Sequence, residues 1–379
     1  MRKLETCRTW TLVAAAAGLL CVAGTRCWAV TITKGPYLQR PAQTGMVIMW
    51  ETDVAATGRV EYGPSAGYGW AATDDRTATI HEVEIAGLVA SSLYHYRVIS
   101  GDASSSDGIF WTAPPPGARF RFAAYGDTRS QPAEHRRVVE RIIASRPGLV
   151  IHAGDIVADG NNYEQWQTEF FDPAAPLIRK TPMALALGNH ENNSHWYYDF
   201  CSNPMESGNE AWYTFRYSEA RFICLDSCQS YEAGSDQCKW LKKTLAGPTD
   251  AIWTFVFFHH PPYASGGHKG DQKVQQHLVS LFEQYGVDIV FNGHCHNYER
   301  SINNGVVYIT TGGGGAPLAK VDNYPNPHQV YAESLYHHCL VDIDGGRLTC
   351  RAVRADNGSE FDEFTLTRAP AERSQEPPQ

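Results

Sequence analysis

The sequence predicts a chain in two parts, an all-β segment followed by a larger α/β segment. Three observations carry this. From residue 31 to about 113, short apolar runs alternate with Gly, Pro, Ser and Asp, and no helical stripe is visible. From Arg119 onward, apolar strand runs alternate with helix-patterned segments, which is the signature of an α/β fold. Between them, Ala113-Pro114-Pro115-Pro116-Gly117 places three prolines in a row, which neither a helix nor a central strand tolerates. The boundaries are then a leader at 1–29, a β segment at 31–113, a linker at 114–118, an α/β segment at 119–368 and a polar, disordered tail at 369–379.

The composition fits two folded parts. The chain has 379 residues, 43% of them apolar, enough for at least one large core. With 32 basic and 41 acidic residues it carries a formal charge of −9, which argues against a nucleic-acid binder working through a basic face. Arg2, Lys3 and Arg8 precede an apolar run from Trp10 to Gly24, and Cys27-Trp28-Ala29 follows. That layout is a secretory leader, too short for a membrane span. The expected location is secreted or periplasmic, with no span beyond the leader. Cleavage after Ala29 removes four basic residues and one acidic one, giving 28 − 40 = −12.

In the β segment the strand runs are 46–50, 58–62, 83–85, 94–98 and 109–112, spaced as in a small sandwich. In the α/β segment, 120–125 is a strand run ending in Gly126-Asp127. A helix over 134–145 carries Val138, Val139, Ile142 and Ile143 on one stripe. The run 149–153 ends in Gly154-Asp155, and 183–187 ends in Gly188-Asn189-His190-Glu191. After an irregular stretch come a strand at 221–225 and a helix at 236–245. The strand 253–258 ends in His259-His260-Pro261-Pro262-Tyr263. A helix over 271–285 leads to a strand at 287–291 and to Gly293-His294-Cys295-His296. A strand at 306–311 precedes the glycines at 312–315, and hairpins fill 340–366.

Five strand runs thus end in residues of ligand type: Asp127, Asp155, Asn189 with His190, His259, and His294 with His296. In α/β folds, sites form beyond the carboxyl ends of strands. One Gly-Asp is an ordinary turn, and a lone G-H-x-H is a modest signal. Together, two carboxylates, an amide oxygen and three imidazoles can hold two metal ions if one carboxylate bridges. Two such ions can activate water and clamp an in-line phosphoryl displacement.

At these motifs the chain resembles the calcineurin-like metallophosphoesterases, and more narrowly their purple acid phosphatase-related branch. The matching blocks are Gly126-Asp127, Gly154-Asp155, Gly188-Asn189-His190-Glu191, His259-His260-Pro261-Pro262-Tyr263 and Gly293 through Arg300. The β segment resembles a fibronectin type III-like module at Gly35-Pro36-Tyr37-Leu38, Val47 through Trp50, Val60 through Gly63 and Leu93 through Val98. The resemblance implies an N-terminal β-sandwich and a catalytic part of two mixed sheets packed together, with helices outside. It implies that Asp127, Asp155 and His296 hold a first metal. Asp155 bridges to a second, which also takes Asn189, His259 and His294. His190 faces the substrate, and His268 stands about where the family places another substrate-facing histidine. The implied cofactors are two divalent or trivalent ions among Fe, Mn and Zn. The implied partner is a small-molecule phosphate ester.

Two positions depart from the family. Ala158 stands where purple acid phosphatases carry a Tyr ligand, so no tyrosinate-to-iron colour is expected. Arg129 stands where many metallophosphoesterases carry a His ligand. Tyr163 or water could complete the first metal's shell. Arg129 could contact the substrate phosphate in place of a weakly held metal, or could pair with Asp127 or Asp155. The expected activity is phosphomonoester hydrolysis. The alternatives are a phosphodiesterase using the same site and a surface-binding protein with a vestigial site. Trp166, Trp196, Tyr197, Tyr198 and Trp212 lie in the loops that set substrate choice, either as core packing or as a wall that stacks on an aromatic leaving group or base. Seven cysteines follow the leader. A two-residue turn at Asp344-Gly345 would set Cys339 opposite Cys350 and allow a disulfide. One or two more bridges could join Cys201, Cys224, Cys228 and Cys238.

Overall fold

The structure, a computed structural model, describes residues 29–368. The expected leader and tail lie outside the described residues.

Six strands form the N-terminal part: β1 (Ile32–Gln39), β2 (Gly45–Gly63), β3 (Trp70–Ala86), β4 (Leu93–Ser100), β5 (Ala103–Ser104) and β6 (Gly108–Trp111). The 19-residue β2 is the spine. Its first half pairs with β1 and its second half with β4, while β3 runs beside both halves. One hydrogen-bonded set therefore joins all six strands. Alternation along β4 turns Tyr94, Tyr96 and Val98 inward against Trp50, Val60 and Phe110.

The α/β part holds two mixed sheets. One contains β7 (Phe120–Tyr125), β8 (Leu149–His152) and β9 (Met183–Leu185), running parallel. The other is built on β10 (Tyr213–Tyr217), β11 (Ala220–Cys224), β12 (Trp253–Phe257), β13 (Ile289–Asn292), β14 (Tyr298–Asn303), β15 (Val306–Thr311) and β16 (Gln329–Glu333). Its order is β10-β11-β12-β13-β15-β14-β16. The chain then returns to the first sheet as β17 (His337–Asp344), β18 (Arg347–Arg354) and β19 (Glu360–Thr367), giving β19-β18-β17-β7-β8-β9. Phe122 of β7 wedges between Phe222, Phe255 and Phe291 of the facing sheet, with ring centroids 5.1, 4.9 and 6.0 Å away. Edge-to-face pairs of this kind contribute about 0.5–1.5 kcal/mol each beyond their buried area.

Helices cover the outer faces. Val138, Val139 and Ile142 of α1 (Pro132–Ser145) pack on β7 and β8. Leu241 and Leu245 of α2 (Asp236–Ala246), with Val274, Leu278 and Phe282 of α3 (272–284), cover the second sheet. The middle of α3, Gln275–Val279, is π-helical. The two mixed sheets with helices outside are thus as expected.

In the N-terminal part β1 and β5 escaped the hydrophobic pattern, and in the α/β part three strands did. β14 carries Glu299, Arg300 and Ser301 in buried positions, satisfied by partners rather than by apolar neighbours. Arg300 donates to both oxygens of Asp362, at 2.7 and 2.9 Å. β10 and β16 are edge strands with half-exposed residues.

The disulfide expectation needs correction. The hairpin turns at Gly345-Gly346, with Asp344 opposite Arg347 and Gly345 at φ +54°. That register sets Cys339 opposite Ala352, and Val341 opposite Cys350. The turn lies one residue later than the Asp-Gly signal indicated, so the two cysteines slip out of register by two residues. All seven described cysteines are free thiols, so the expected bridges among Cys201, Cys224, Cys228 and Cys238 are also not formed.

Candidate metal centre

The site lies where β7, β8 and β9 of one sheet end beside β12 and β13 of the other. The chain turns sharply there, and three of the expected ligands take left-handed backbone: Asp127 at φ +57°, Asp155 at +56° and His294 at +68°. Such conformations cost on the order of 1 kcal/mol each for a non-glycine residue and persist only where neighbours hold them. Asp127 N–H donates to Gly154 O at 2.9 Å, and Thr128 N–H to Asp155 O at 3.0 Å. His294 N–H donates to the Asp127 carboxylate at 3.0 and 2.9 Å. Two glycines leave room for the approach. A Cβ on Gly293 would come within 2.4 Å of Asp127 Oδ2, and one on Gly188 within 2.3 Å of Asp155 N.

Glu191 holds the Asp155 turn, a role the sequence reading did not assign. It is fully buried. Its Oε2 accepts from Asp155 N at 2.9 Å and Gly188 N at 2.6 Å. Its Oε1 accepts from Ile156 N at 2.7 Å and Val157 N at 3.3 Å. The signal available was its place at the end of Gly-Asn-His-Glu, where an acidic side chain is well placed to collect the N–H groups of a tight loop. Burial and the Asp155 charge push its carboxyl up to about 7, against the pull of the backbone donors.

The ligand candidates fall into two groups. In the first, Asn189 Oδ1 lies 3.1 Å from His259 Nε2 and 3.1 Å from His294 Nδ1, and the two nitrogens are 3.3 Å apart. Asp155 Oδ1 is 3.2 Å from His259 Nε2. Donors sharing one ion at about 2.0–2.2 Å stand roughly 3.0–3.4 Å from one another. This group therefore fits a cation. His259 is oriented for it: its Nδ1 donates to Ala153 O at 3.0 Å, leaving Nε2 to face the group. Burial lowers His294, and repulsion from a proton on the neighbouring His259, His260 and His268 adds to that, pushing it down to about 2. It is thus neutral and ready to ligate. Burial works against the charged forms of His259 and Asp155. Their mutual attraction overcomes it, lifting His259 to about 9 and holding Asp155 below the ordinary carboxylate range.

The second group is Asp127, Asp155 and His296, with donor atoms within 4.8 Å of one another. His296 Nε2 lies 3.5 Å from Asp127 Oδ1. Arg129 enters here, its Nε 3.2 Å from Asp155 Oδ2 and its Nη2 3.3 Å from His296 Nε2. Tyr163 does not complete this group. Its hydroxyl donates to Glu51 of β2 at 2.7 Å, beside the buried Lys34–Glu51 pair.

His190 sits at the rim with its side chain 32% exposed. Its Nδ1 donates to Ala158 O at 2.7 Å, which turns Nε2 toward Asp155 Oδ2, 3.8 Å away. His268 stacks on His294 with centroids 4.2 Å apart. It lines a cleft of about 600 Å³ with His260, Lys269 and Lys273. His260 is held by Ser227 Oγ at 2.8 Å. The proposed aromatic wall is mostly core. Trp166 and Tyr197 are buried, and Trp196, Tyr198 and Trp212 pack against the same cluster.

Residues 120–298 match the family model of the calcineurin-like phosphoesterases. Purple acid phosphatase 18 of Arabidopsis thaliana is 29% identical over 333 residues, spanning 77% of this chain and 74% of that protein. A nucleotide pyrophosphatase/phosphodiesterase of Hordeum vulgare is 26% identical over 265 residues, spanning 58% of this chain and 72% of that protein. A solved purple acid phosphatase from yellow lupin (Lupinus luteus) seeds has the same fold. It superposes with a TM-score of 0.77 at 20% identity, over 88% of this chain and 74% of that one.

Proposed function

We propose that this chain is a calcineurin-like metallophosphoesterase related to the purple acid phosphatases, a reading that the match over residues 120–298 and the similar proteins support, and that it hydrolyses phosphomonoesters outside the cytoplasm. The observation that carries the reading is the convergence of Asn189, His259, His294 and Asp155 at single-ion spacing, with Arg129 and His190 beside them. The secretory-leader layout of residues 1–29 supports the location.

A cation bound at that group supplies positive charge for the phosphoryl oxygens and activates water for attack. The chain's own residues do the rest. Arg129 is always charged, and its fork matches phosphate geometry. It lies on the Asp155 side of the site, where the unesterified oxygens of a monoester need counter-charge. His190, fixed by Ala158 O and 32% exposed at the rim, turns Nε2 toward the Asp155 side of the site, suited to move a proton to a departing alkoxide. His268, Lys269, Asp271 and Lys273 of the cleft give the leaving group a polar surrounding.

A phosphodiesterase using the same residues is the second reading. It is favoured by the printed name of the barley relative. The test is turnover of p-nitrophenyl phosphate against its bis-ester by protein loaded with Mn, Fe or Zn, with Asp155→Ala as blank. Monoester turnover above the blank, and faster than the bis-ester, is expected. A faster bis-ester selects the second reading. No turnover above the blank with any metal removes both and returns the N-terminal part to consideration as a binding surface.

A further inference from the structure

We infer that the Arg129 guanidinium takes the place of one of the two expected metal ions, so that the chain binds a single ion, at Asn189, His259, His294 and Asp155. The inference rests on the metallophosphoesterase reading only for the expectation of two ions.

The argument is about lone pairs. His296 Nδ1 lies 2.8 Å from Pro317 O, a carbonyl that can only accept, so Nδ1 carries the proton. Nε2 then has one lone pair, the one a metal would need. Arg129 Nη2, which can only donate, lies 3.3 Å from it. The same fork places Nε 3.2 Å from Asp155 Oδ2, the oxygen free to bridge two ions. The other Asp155 oxygen is already shared by the His190 backbone N–H at 3.0 Å and His259 at 3.2 Å. A cation at Asp127, Asp155 and His296 would have to displace the guanidinium from both contacts. It would then sit beside a charge that cannot be neutralised by losing a proton.

Arg129 is built into its place. Its side chain is 17% exposed, and Nη1 donates to Ser130 Oγ at 3.2 Å. Glu169 Oε2 fixes the loop on both sides, accepting from Ser130 N at 3.0 Å and Ala158 N at 2.8 Å. The side chains that could have completed a metal shell here are lost to it. Ala158 has no donor, and the Tyr163 hydroxyl is committed to Glu51. Two carboxylates that face a dication in a two-metal site face a monocation here. The second group, Asp127, Asp155 and His296, is thus a preformed guanidinium site that presents positive charge to a phosphate.

The test is metal counting on the full chain. Protein is equilibrated with excess Mn(II), freed of unbound ion by gel filtration, and analysed by elemental mass spectrometry and electron paramagnetic resonance. One ion per chain with the hyperfine pattern of an isolated Mn(II) is expected. Arg129→His removes the guanidinium and adds an imidazole, and is expected to carry two ions with an exchange-coupled signal. Arg129→Ala serves if the histidine variant does not fold, and is expected to gain a weaker second ion. Two coupled ions in the unaltered chain overturn the inference. So does an unaltered chain that holds no ion, which also removes the fit of the Asn189 group. One ion without any ester turnover leaves the inference standing and removes the phosphoesterase activity instead.

Discussion

Replacing Glu191 with Gln tests whether one buried carboxylate holds the strained turns of the site. The side chain keeps its size and loses one acceptor oxygen to an NH2 group. Each oxygen serves two backbone N–H donors: Asp155 and Gly188 on Oε2, Ile156 and Val157 on Oε1. Whichever way the amide turns, two buried N–H groups meet a donor. A buried donor left unsatisfied costs about 1–3 kcal/mol, so the loss is about 2–6 kcal/mol. At roughly 2 °C per kcal/mol for a part of this size, the melting midpoint falls by about 4–12 °C. The measurement belongs at pH 8, above the Glu191 value of about 7, where the wild-type carboxyl is ionised. The same variant is expected to retain bound metal less well, because Asp155 at φ +56° loses the hydrogen bond that holds its N–H. Glu134→Gln on the surface of α1, paired with Arg137, is the control and shifts the midpoint by no more than about 1 kcal/mol equivalent. A Glu191→Gln protein that melts with the wild type and keeps its metal refutes the reasoning.

The remaining predictions concern the seam between the two parts, acid stability and redox state. Lys34→Met leaves Glu51 buried without its ammonium partner and lowers stability by about 3–5 kcal/mol in thermal or denaturant unfolding. Tyr163→Phe, which removes one hydrogen bond to Glu51, costs about 1 kcal/mol in the same assay. Asp362 is held below its ordinary value. Burial opposes this, and the Arg300 and Tyr298 hydrogen bonds outweigh it. A lowered carboxyl stabilises the fold above its unfolded value and loses that contribution as pH falls through the folded one. Asp362→Asn should therefore melt earlier than wild type at neutral pH, with the gap closing below about pH 4. A gap that stays constant down to pH 2 contradicts this. Thiol titration of denatured residues 30–379 without reductant should find all seven cysteines reactive. A lower count would show bridges.

How much of this was legible in sequence follows from how each feature is encoded. Parallel strands buried on both faces read as continuous apolar runs, so β7, β8, β12, β13 and β15 were visible. β14 was not, because its buried Glu299 and Arg300 are satisfied by partners distant in sequence, Asp362 among them, and a hydrophobic pattern has no term for that. The Cys339–Cys350 error has the same origin. Asp-Gly and Gly-Gly are both acceptable two-residue turns, and one residue of slip moves every cross-strand pair by two. Only the ladder, pairing Ile343 with Leu348 and with Phe120, selects between them.

The candidate ligands were legible for a different reason. Each follows its strand directly, so chain order alone brings Asp127, Asp155, Asn189, His259 and His294 to one edge. What the sequence left open was the choice between functions for a residue already singled out. Arg129 reads equally as a phosphate contact, a partner for Asp155 or a misfit in a metal motif. With the guanidinium site inferred above, these are not alternatives. A guanidinium that takes Asp155 Oδ2 and the lone pair of His296 must displace an ion from that place, and the same fork then faces whatever the remaining ion holds. Pairing with Asp155 is thus what presents Arg129 to a phosphate. It follows that Arg129→Lys, which keeps the charge but offers a compact ammonium in place of a planar fork, does not reproduce the fork geometry of the two contacts. Its effect on monoester turnover should approach that of Arg129→Ala rather than that of wild type. Near-wild-type turnover by the lysine variant would mean that charge alone matters at this position and the fork does not.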